Sequence, residues 1–532
     1  MPTSLVLRGG TVYDGTGSPG IRADVAVDGD RILGVGSIPV TDQAEELDVT
    51  GLAVCPGFIN VLSHAWGSLQ VDGSGASDTL QGVTTEVFGE AFSLGPSDAQ
   101  FEQMFGREDE LGFRVVFPRL SDGLDAMQAG GVAPNVASFI GGTNLRILAA
   151  GFDDRRLTSE ELDTLRALVD EEMQEGALGI GTALIYPPGR FAGTAELQSL
   201  CEVVGRHDGL YISHLRSEGD QFLECLEELI EIGVRAEVRA EVYHLKAAGR
   251  HNHHKMALAI ERIEKARANG QPLTADMYPY EAGGTALAAS IPPQYHGGGR
   301  EALHERLADP AQRRQMAQDL RQRSDDFENL FLAAGGGAGI MFVSDLADGT
   351  PTRHLRLSQV ARDLGIEDEA DALLEVVSRD PGVGTAYFVI DEDNIRLGLQ
   401  QPWVSIGSDA AAHQATAPWT DTSTHPRTYG TFARFLGRYV RDEGLVAFED
   451  AIRRMTSLPA DTLRLVDRGR LVPGAFADIV VLDPAAVADT ATYEDSHRYA
   501  IGVHHVLVNG ESVVTDGAVT ERRPGRRLRR GA

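Results

Sequence analysis

Three stretches decide the fold: GLYISHL at 209–215, AEVYHL at 240–245 and PLTADMY at 272–278. Each is a short apolar run that closes on a polar residue, respectively His214, His244 and Asp276. His214 and His244 stand 30 positions apart, and His244 and Asp276 stand 32 apart. A strand, a crossover helix and the return to the next parallel strand take about 30 residues or more. The period therefore puts all three residues at the same place in successive units, the end of a strand. Between the runs lie helical stripes: Phe222, Leu226, Leu229 and Ile230, ended near Gly233, and Met256, Ile260, Ile263 and Ala266, ended at Gly270. An earlier unit repeats the pattern. Ser159 is placed to cap a helix carrying Leu162, Leu165, Val169 and Met173, and the run ALGIGTAL follows it. Such alternation predicts an α/β fold with a parallel sheet. In a (β/α)8 TIM-type barrel, strand C-terminal ends form the catalytic face.

Outside this middle the texture changes. Residues 4–55 read as short strands between Gly and Asp turns, and the segment ADIVVLDP with HHVLVNGESVVTDG repeats that texture late in the chain. The two β-rich ends are expected to pair into one small β-sandwich, from residues 1–56 and 456–532, around a barrel at 57–455. A Gly-rich, then helical, then Gly-rich stretch at about 286–345 breaks the period and reads as an insertion.

The chain has 532 residues, 42% hydrophobic and 24% charged, the balance of a folded globular protein. No apolar run reaches the roughly 20 residues that span a bilayer. The formal charge of −30 repels phosphate backbones and anionic lipid, so neither nucleic acid nor a membrane is an expected partner. Three cysteines without a CxxC motif build no disulfide framework, and the start MPTSLVLRGG has no secretory pattern. A reducing, cytoplasmic setting is expected. Lysine occurs only at Lys246, Lys255 and Lys265, and Arg522 to Arg530 reads as a solvated basic tail.

Chemistry concentrates at strand ends. Asp409, in WVSIGSDAA, joins His214 and His244 as a polar residue closing an apolar run. A single such histidine is ordinarily a hydrogen-bonded core residue. Several at matching period suggest two imidazoles and carboxylates converging as a zinc-type site. His251, His253 and His254 read as a solvated loop, His413 and His425 as loop or interface residues, and Cys201 and Cys225 as core.

The chain resembles the D-aminoacylase (N-acyl-D-amino-acid deacylase) branch of the amidohydrolase superfamily. The resemblance rests on PGFINVLSHA at 56–65, QGVTTEVFGE at 81–90, EGALGIGTALIYPPG at 175–189, SHLRSEGD at 213–220 and HLKAAG at 244–249. It continues through DMYPYEAGGT at 276–285, GSDA at 407–410, HPRTYGTFARFLGRYVRDE at 425–443 and DRGRLVPGAFADIVVLDP at 467–484. It implies a metal-containing barrel with a small β-sandwich, hydrolysing the amide of N-acyl-D-amino acids. It further implies Asp409 as the catalytic acid–base, His214, His244, Glu90 and His64 as metal ligands, and Lys246 and Tyr278 as substrate contacts. Arg216 is a secondary candidate for a substrate carboxylate, with Glu218 its alternative partner. The sequence departs from the family in three places. Leu62 replaces the first His of His-x-His, Glu90 stands where a Cys bridges, and Gly142 replaces another His. One zinc ion per chain is therefore expected. The expected partner is a small N-acyl amino acid, and a homo-oligomer remains open. Cyclic amide opening or deamination on the same scaffold is an alternative, as is a non-catalytic barrel.

Overall fold

The computed structural model describes residues 4–39, 44–99, 101–102, 114 and 116–531. The apolar–polar alternation near the start forms β1 (Ser4–Val12), β2 (Ile21–Asp28), β3 (Arg31–Gly36), β4 (Ala44–Asp48) and β5 (Ala53–Pro56). Next come β6 (Phe58–Asn60), β7 (Val83–Phe88) and β8 (Asn135–Ser138), paired in parallel. A second parallel set holds β9 (Ile140–Gly141), β10 (Gly179–Ala183), β11 (Leu210–His214), β12 (Arg239–Val242) and β13 (Leu273–Met277). β14 (Ala282–Ala286), β15 (Ile340–Phe342) and β16 (Gly384–Phe388) form a separate antiparallel sheet. β17 (Val404–Ile406) then returns beside β13.

The two parallel sets close into a ring. β8 and β9 are successive pieces of one path, interrupted only at Phe139. At the other seam, Ser63 bridges Ala410 in parallel. The His64 amide donates to the Ala410 carbonyl and the Asp409 amide to the Leu62 carbonyl, each at 2.9 Å. Counting β8 and β9 as one, the order β6, β7, β8/β9, β10, β11, β12, β13, β17 is an eight-stranded barrel. Ile59, Val87, Phe139, Ile212 and Tyr243 pack together as one of its buried clusters. The crossover helices form as their stripes predict, at Ser159–Gln174, Phe222–Arg235 and Lys255–Ala268. The first is capped one residue earlier than expected. Thr158 accepts from the Glu161 amide while the Glu161 carboxylate accepts from the Thr158 amide, a capping box.

The two β-rich ends share one sheet. β18 (Ile479–Leu482) pairs with β5, and β19 (Val503–Val508), β20 (Glu511–Thr515) and β21 (Ala518–Val519) continue outward to make nine strands. The sheet curls over a core of Leu7, Val25, Val27, Ile479, Val481 and Leu507, and the Ile32 amide reaches the Ala475 carbonyl at 2.9 Å. The basic segment after it is not a solvated tail. Gly525 and Leu528 donate to the carbonyls of Val132 and Val136, both at 2.8 Å, and Arg527 pairs with Asp125 at 2.9 Å. A run of arginine reads as solvated only when its acidic partners lie far away in sequence.

The expected insertion is longer than 286–345. The β14–β16 sheet reaches Phe388, and the helices Leu357–Asp363 and Glu369–Arg379 pack into its separate core with Leu303, Phe342 and Tyr387. Their amphipathic stripes resemble barrel crossovers, because periodicity shows which face of a helix is covered and not by what. Among the described residues no helix is long and apolar enough to cross a membrane.

Candidate active site

Five side chains meet where the barrel strands end. His214 closes β11, Glu90 and His244 follow β7 and β12 by two residues, and His64 and Asp409 follow β6 and β17. Gly89 lets β7 deliver Glu90: its φ is +113°, and a Cβ there would lie 2.6 Å from the Phe139 carbonyl oxygen. His244 and Asp409 have φ of +35° and +52°, in the left-handed region that side chains disfavour. Both are pinned. The His244 amide donates to Asp276 at 3.0 Å, and the Asp409 amide is held by the seam described above. Strain of this kind persists where surrounding structure over-determines it, often at functional sites.

Glu90 is the hub. Its Oε1 lies 3.0 Å from His214 Nδ1 and 3.1 Å from His244 Nε2, and its Oε2 lies 3.0 Å from His64 Nε2. His64 Nε2 is also 3.0 Å from Asp409 Oδ1. Burial opposes ionisation of Glu90, yet hydrogen bonds from His214 and His244 hold it well below the usual carboxylate range. Two imidazoles and a carboxylate, all buried and sharing one focus, are the donor set that suits zinc. A second focus, His64, Glu90 and Asp409, shares the same glutamate. Leu62, buried nearby, offers it no donor atom.

Behind the imidazoles stands Glu218, which sequence reading left as a mere alternative partner for Arg216. Its Oε1 lies 2.9 Å from His244 Nδ1, and its Oε2 lies 3.5 Å from His214 Nε2. Lys246 reaches Glu218 at 2.6 Å and also lies 2.7 Å from His244 Nδ1. That nitrogen cannot both accept from Lys246 and donate to Glu218. With both ring nitrogens facing carboxylates, Nδ1 donates to Glu218, which fixes the ring. Lys246 also donates to the His244 carbonyl at 3.2 Å. Two of its three hydrogens are thus committed.

Asp409 has a partner unforeseen in the sequence. Arg427 Nη1 lies 2.8 Å from Asp409 Oδ2. Burial alone would raise the Asp409 carboxyl, but Arg427 beside it holds it below the usual range. The HPRTYGTF motif marked this segment, yet nothing in the spacing singled out its arginine. Tyr278 lies between the cations. Arg427 sits 4.6 Å and Lys246 5.8 Å from its ring centre, and its buried hydroxyl has no hydrogen-bond partner among the described residues. Arg216 takes no part. It pairs with Glu228 at 2.7 Å, donates to the carbonyls of Arg190 and Ala192, and does not line the cavity. The secondary role expected for it fails because its own neighbours consume its donors.

These groups open on a cavity of about 530 Å³ with a wall of Trp66, Phe92, Ile185, Tyr186 and Trp419. His413 and His425 do not line it and are buried. His413 stacks on Trp419 at 4.7 Å, and His425 contacts the Ala282 carbonyl at 2.9 Å. His251 and His254 are exposed before the Lys255–Ala268 helix, and Cys201 and Cys225 are buried.

A closed parallel barrel with imidazole and carboxylate donors gathered at its strand ends defines a barrel of the metallohydrolase type. The match to a family model agrees, covering residues 45–514, and the chain belongs to the amidohydrolase family. D-aminoacylase of Alcaligenes xylosoxydans xylosoxydans is 34% identical over 100% of this chain and 98% of its own. A crystal structure of D-aminoacylase superposes with a TM-score of 0.81 at 33% identity, covering 99% of this chain and 100% of that one. N-acyl-D-glutamate deacylase from Bordetella bronchiseptica, solved with zinc and a phosphonate mimic of the tetrahedral intermediate, also gives 0.81, at 28% identity and the same coverage.

Proposed function

We propose that the chain is a metal-dependent hydrolase that cleaves the amide of N-acyl amino acids, of D configuration, to a carboxylic acid and a free amino acid. One observation carries the reading: Asp409, kept ionised by Arg427, faces the Glu90–His64 cluster across hydrogen-bonding distance inside the cavity. The activities of the relatives supply the substrate class and the configuration.

Glu90, His214 and His244 would hold one zinc ion, with His64 beside them. Bound there, zinc supplies Lewis acidity, which polarises the acyl carbonyl and acidifies a neighbouring water. The second focus is not proposed as a tight site, because it would take up the acid–base residue itself. Asp409 accepts the water proton and returns it to the departing nitrogen. The Tyr278 hydroxyl donates to the oxygen that gains charge. Arg427 and the remaining N–H of Lys246 flank Tyr278 and hold the substrate carboxylate. The protein is cytoplasmic in this reading, and its ligand is a small molecule.

The test is a panel of N-acetyl amino acids of both configurations, given to purified, zinc-supplemented protein. Equal release of free amine and acetate from D substrates supports the reading. Release of ammonia, or opening of cyclic amides alone, refutes it.

A further inference from the structure

Glu328, from the inserted segment, lines the main cavity together with two smaller ones of about 120 and 170 Å³. It is the one residue common to all three linings. It is only 5% exposed. Its Oε2 accepts from the Glu218 amide at 2.5 Å, which fixes the side chain. Its Oε1 has no hydrogen-bond partner among the described residues. A buried carboxylate oxygen without a donor is costly unless something arrives to pair with it.

Among the described residues no cation pairs with it. Lys246 is bound to Glu218, and Arg427 to Asp409. Arg190 donates to the carbonyls of Arg216 and Asp326, and Arg323, which lines the 120 Å³ cavity with Glu328, forms no ion pair with it among the described residues. Four carboxylates line the main cavity, Glu90, Glu218, Glu328 and Asp409, against two permanent cations, Lys246 and Arg427. Burial pushes the Glu328 carboxyl up to about 7, so a cation arriving beside it is what would hold it in its charged form. The lining that the main cavity shares with the 170 Å³ one is apolar at two positions beside Tyr186, Thr285 and Glu328. Ile185 and Pro187 line both the main cavity and the adjoining 170 Å³ one.

We propose that Glu328 selects N-acyl amino acids whose side chain ends in a cation, an amine or guanidinium on an apolar stem. The stem would lie along Ile185 and Pro187, and the charged end would pair with Oε1. This rests on the function proposed above and adds the side chain of its substrate.

The experiment compares N-acetyl-D-arginine with N-acetyl-D-citrulline, a neutral isostere, and with N-acetyl-D-leucine and N-acetyl-D-glutamate. The parent enzyme is expected to favour arginine over citrulline by about tenfold or more in kcat/KM, the scale of one charged hydrogen bond. In Glu328→Gln that ratio should collapse toward one. A ratio taken on one preparation is insensitive to the fraction folded, so a partly unstable variant still reports. A parent ratio near one, a preference for the glutamate substrate, or a ratio unchanged in Glu328→Gln overturns the assignment while leucine turnover leaves the deacylase reading intact. Absence of turnover on all four substrates overturns both.

Discussion

At the residue scale, Asp409 and Arg427 act as a unit. Asp409→Asn should retain the metal and lose about 10²–10⁴-fold in kcat, the usual worth of acid–base help. Metal analysis alongside steady-state kinetics checks this, and activity within a few-fold of the parent would make Asp409 structural. Because Arg427 holds the folded pKa of Asp409 down, the base stays ionised through neutral and mildly acidic pH. The acid limb of kcat/KM should therefore lie below the ordinary aspartate value of about 3.9. Arg427→Met should move that limb up by about one pH unit or more. It should also raise KM for carboxylate substrates far more than for their amides. A limb that stays put would mean that another group governs it. Much of this site was legible. His214, His244 and Asp409 close apolar runs, and Glu90 and His64 came with the resemblance. Arg427 and Glu218 were not, because an ion pair or a backing carboxylate leaves no periodic trace.

At the scale of elements, the delivery of Glu90 depends on one glycine. Gly89→Ala would set a Cβ against the Phe139 carbonyl at a φ of +113°. The expected result is a loss of about 1–3 kcal/mol from backbone strain. Because Glu90 is the next residue, weakened metal retention should accompany it. Denaturant unfolding and metal content read the two effects separately, and a variant with both unchanged would show that the β7 end tolerates displacement. Units of the barrel were legible because period and helical stripe agree. The closing seam between Ser63 and Ala410 was not, since contact across 347 positions has no local signature. Neither was the far end of the insertion. Its helices are as amphipathic as those of the barrel, and only the third dimension shows which sheet they cover.

At the scale of the molecule, stability should fall as pH rises from mildly acidic to neutral. Burial pushes Glu241 and Glu172 up to about 7, and raises Asp78 and Glu86 as well. Unfolded glutamate titrates near about 4.3. At these four acids the folded state therefore binds more protons between about pH 4 and 7, and their contribution to stability is lost as pH climbs through that window, while buried histidines such as His413 and His425, held low by burial, act the other way below about 6.5. The net charge of −30 acts in the same direction. The unfolding midpoint should be higher at about pH 5.5 than at about pH 8, and Glu241→Gln should narrow the gap. A midpoint that rises across this range would contradict the assignment of these buried acids.

The shared sheet of the two ends also imposes a schedule on biosynthesis. β5 is synthesised early and sits one residue before the first barrel strand, yet its partner β18 begins at Ile479. While some four hundred residues are being translated, that edge of β5 is open, and open edges pair with whatever strand is near. The segment at 525–528, which lies along the barrel beside β8, comes later still. Nascent chains therefore carry an unpaired template until β18 has been made. Chaperone occupancy measured on ribosome-bound chains of increasing length should persist until β18 emerges and then drop.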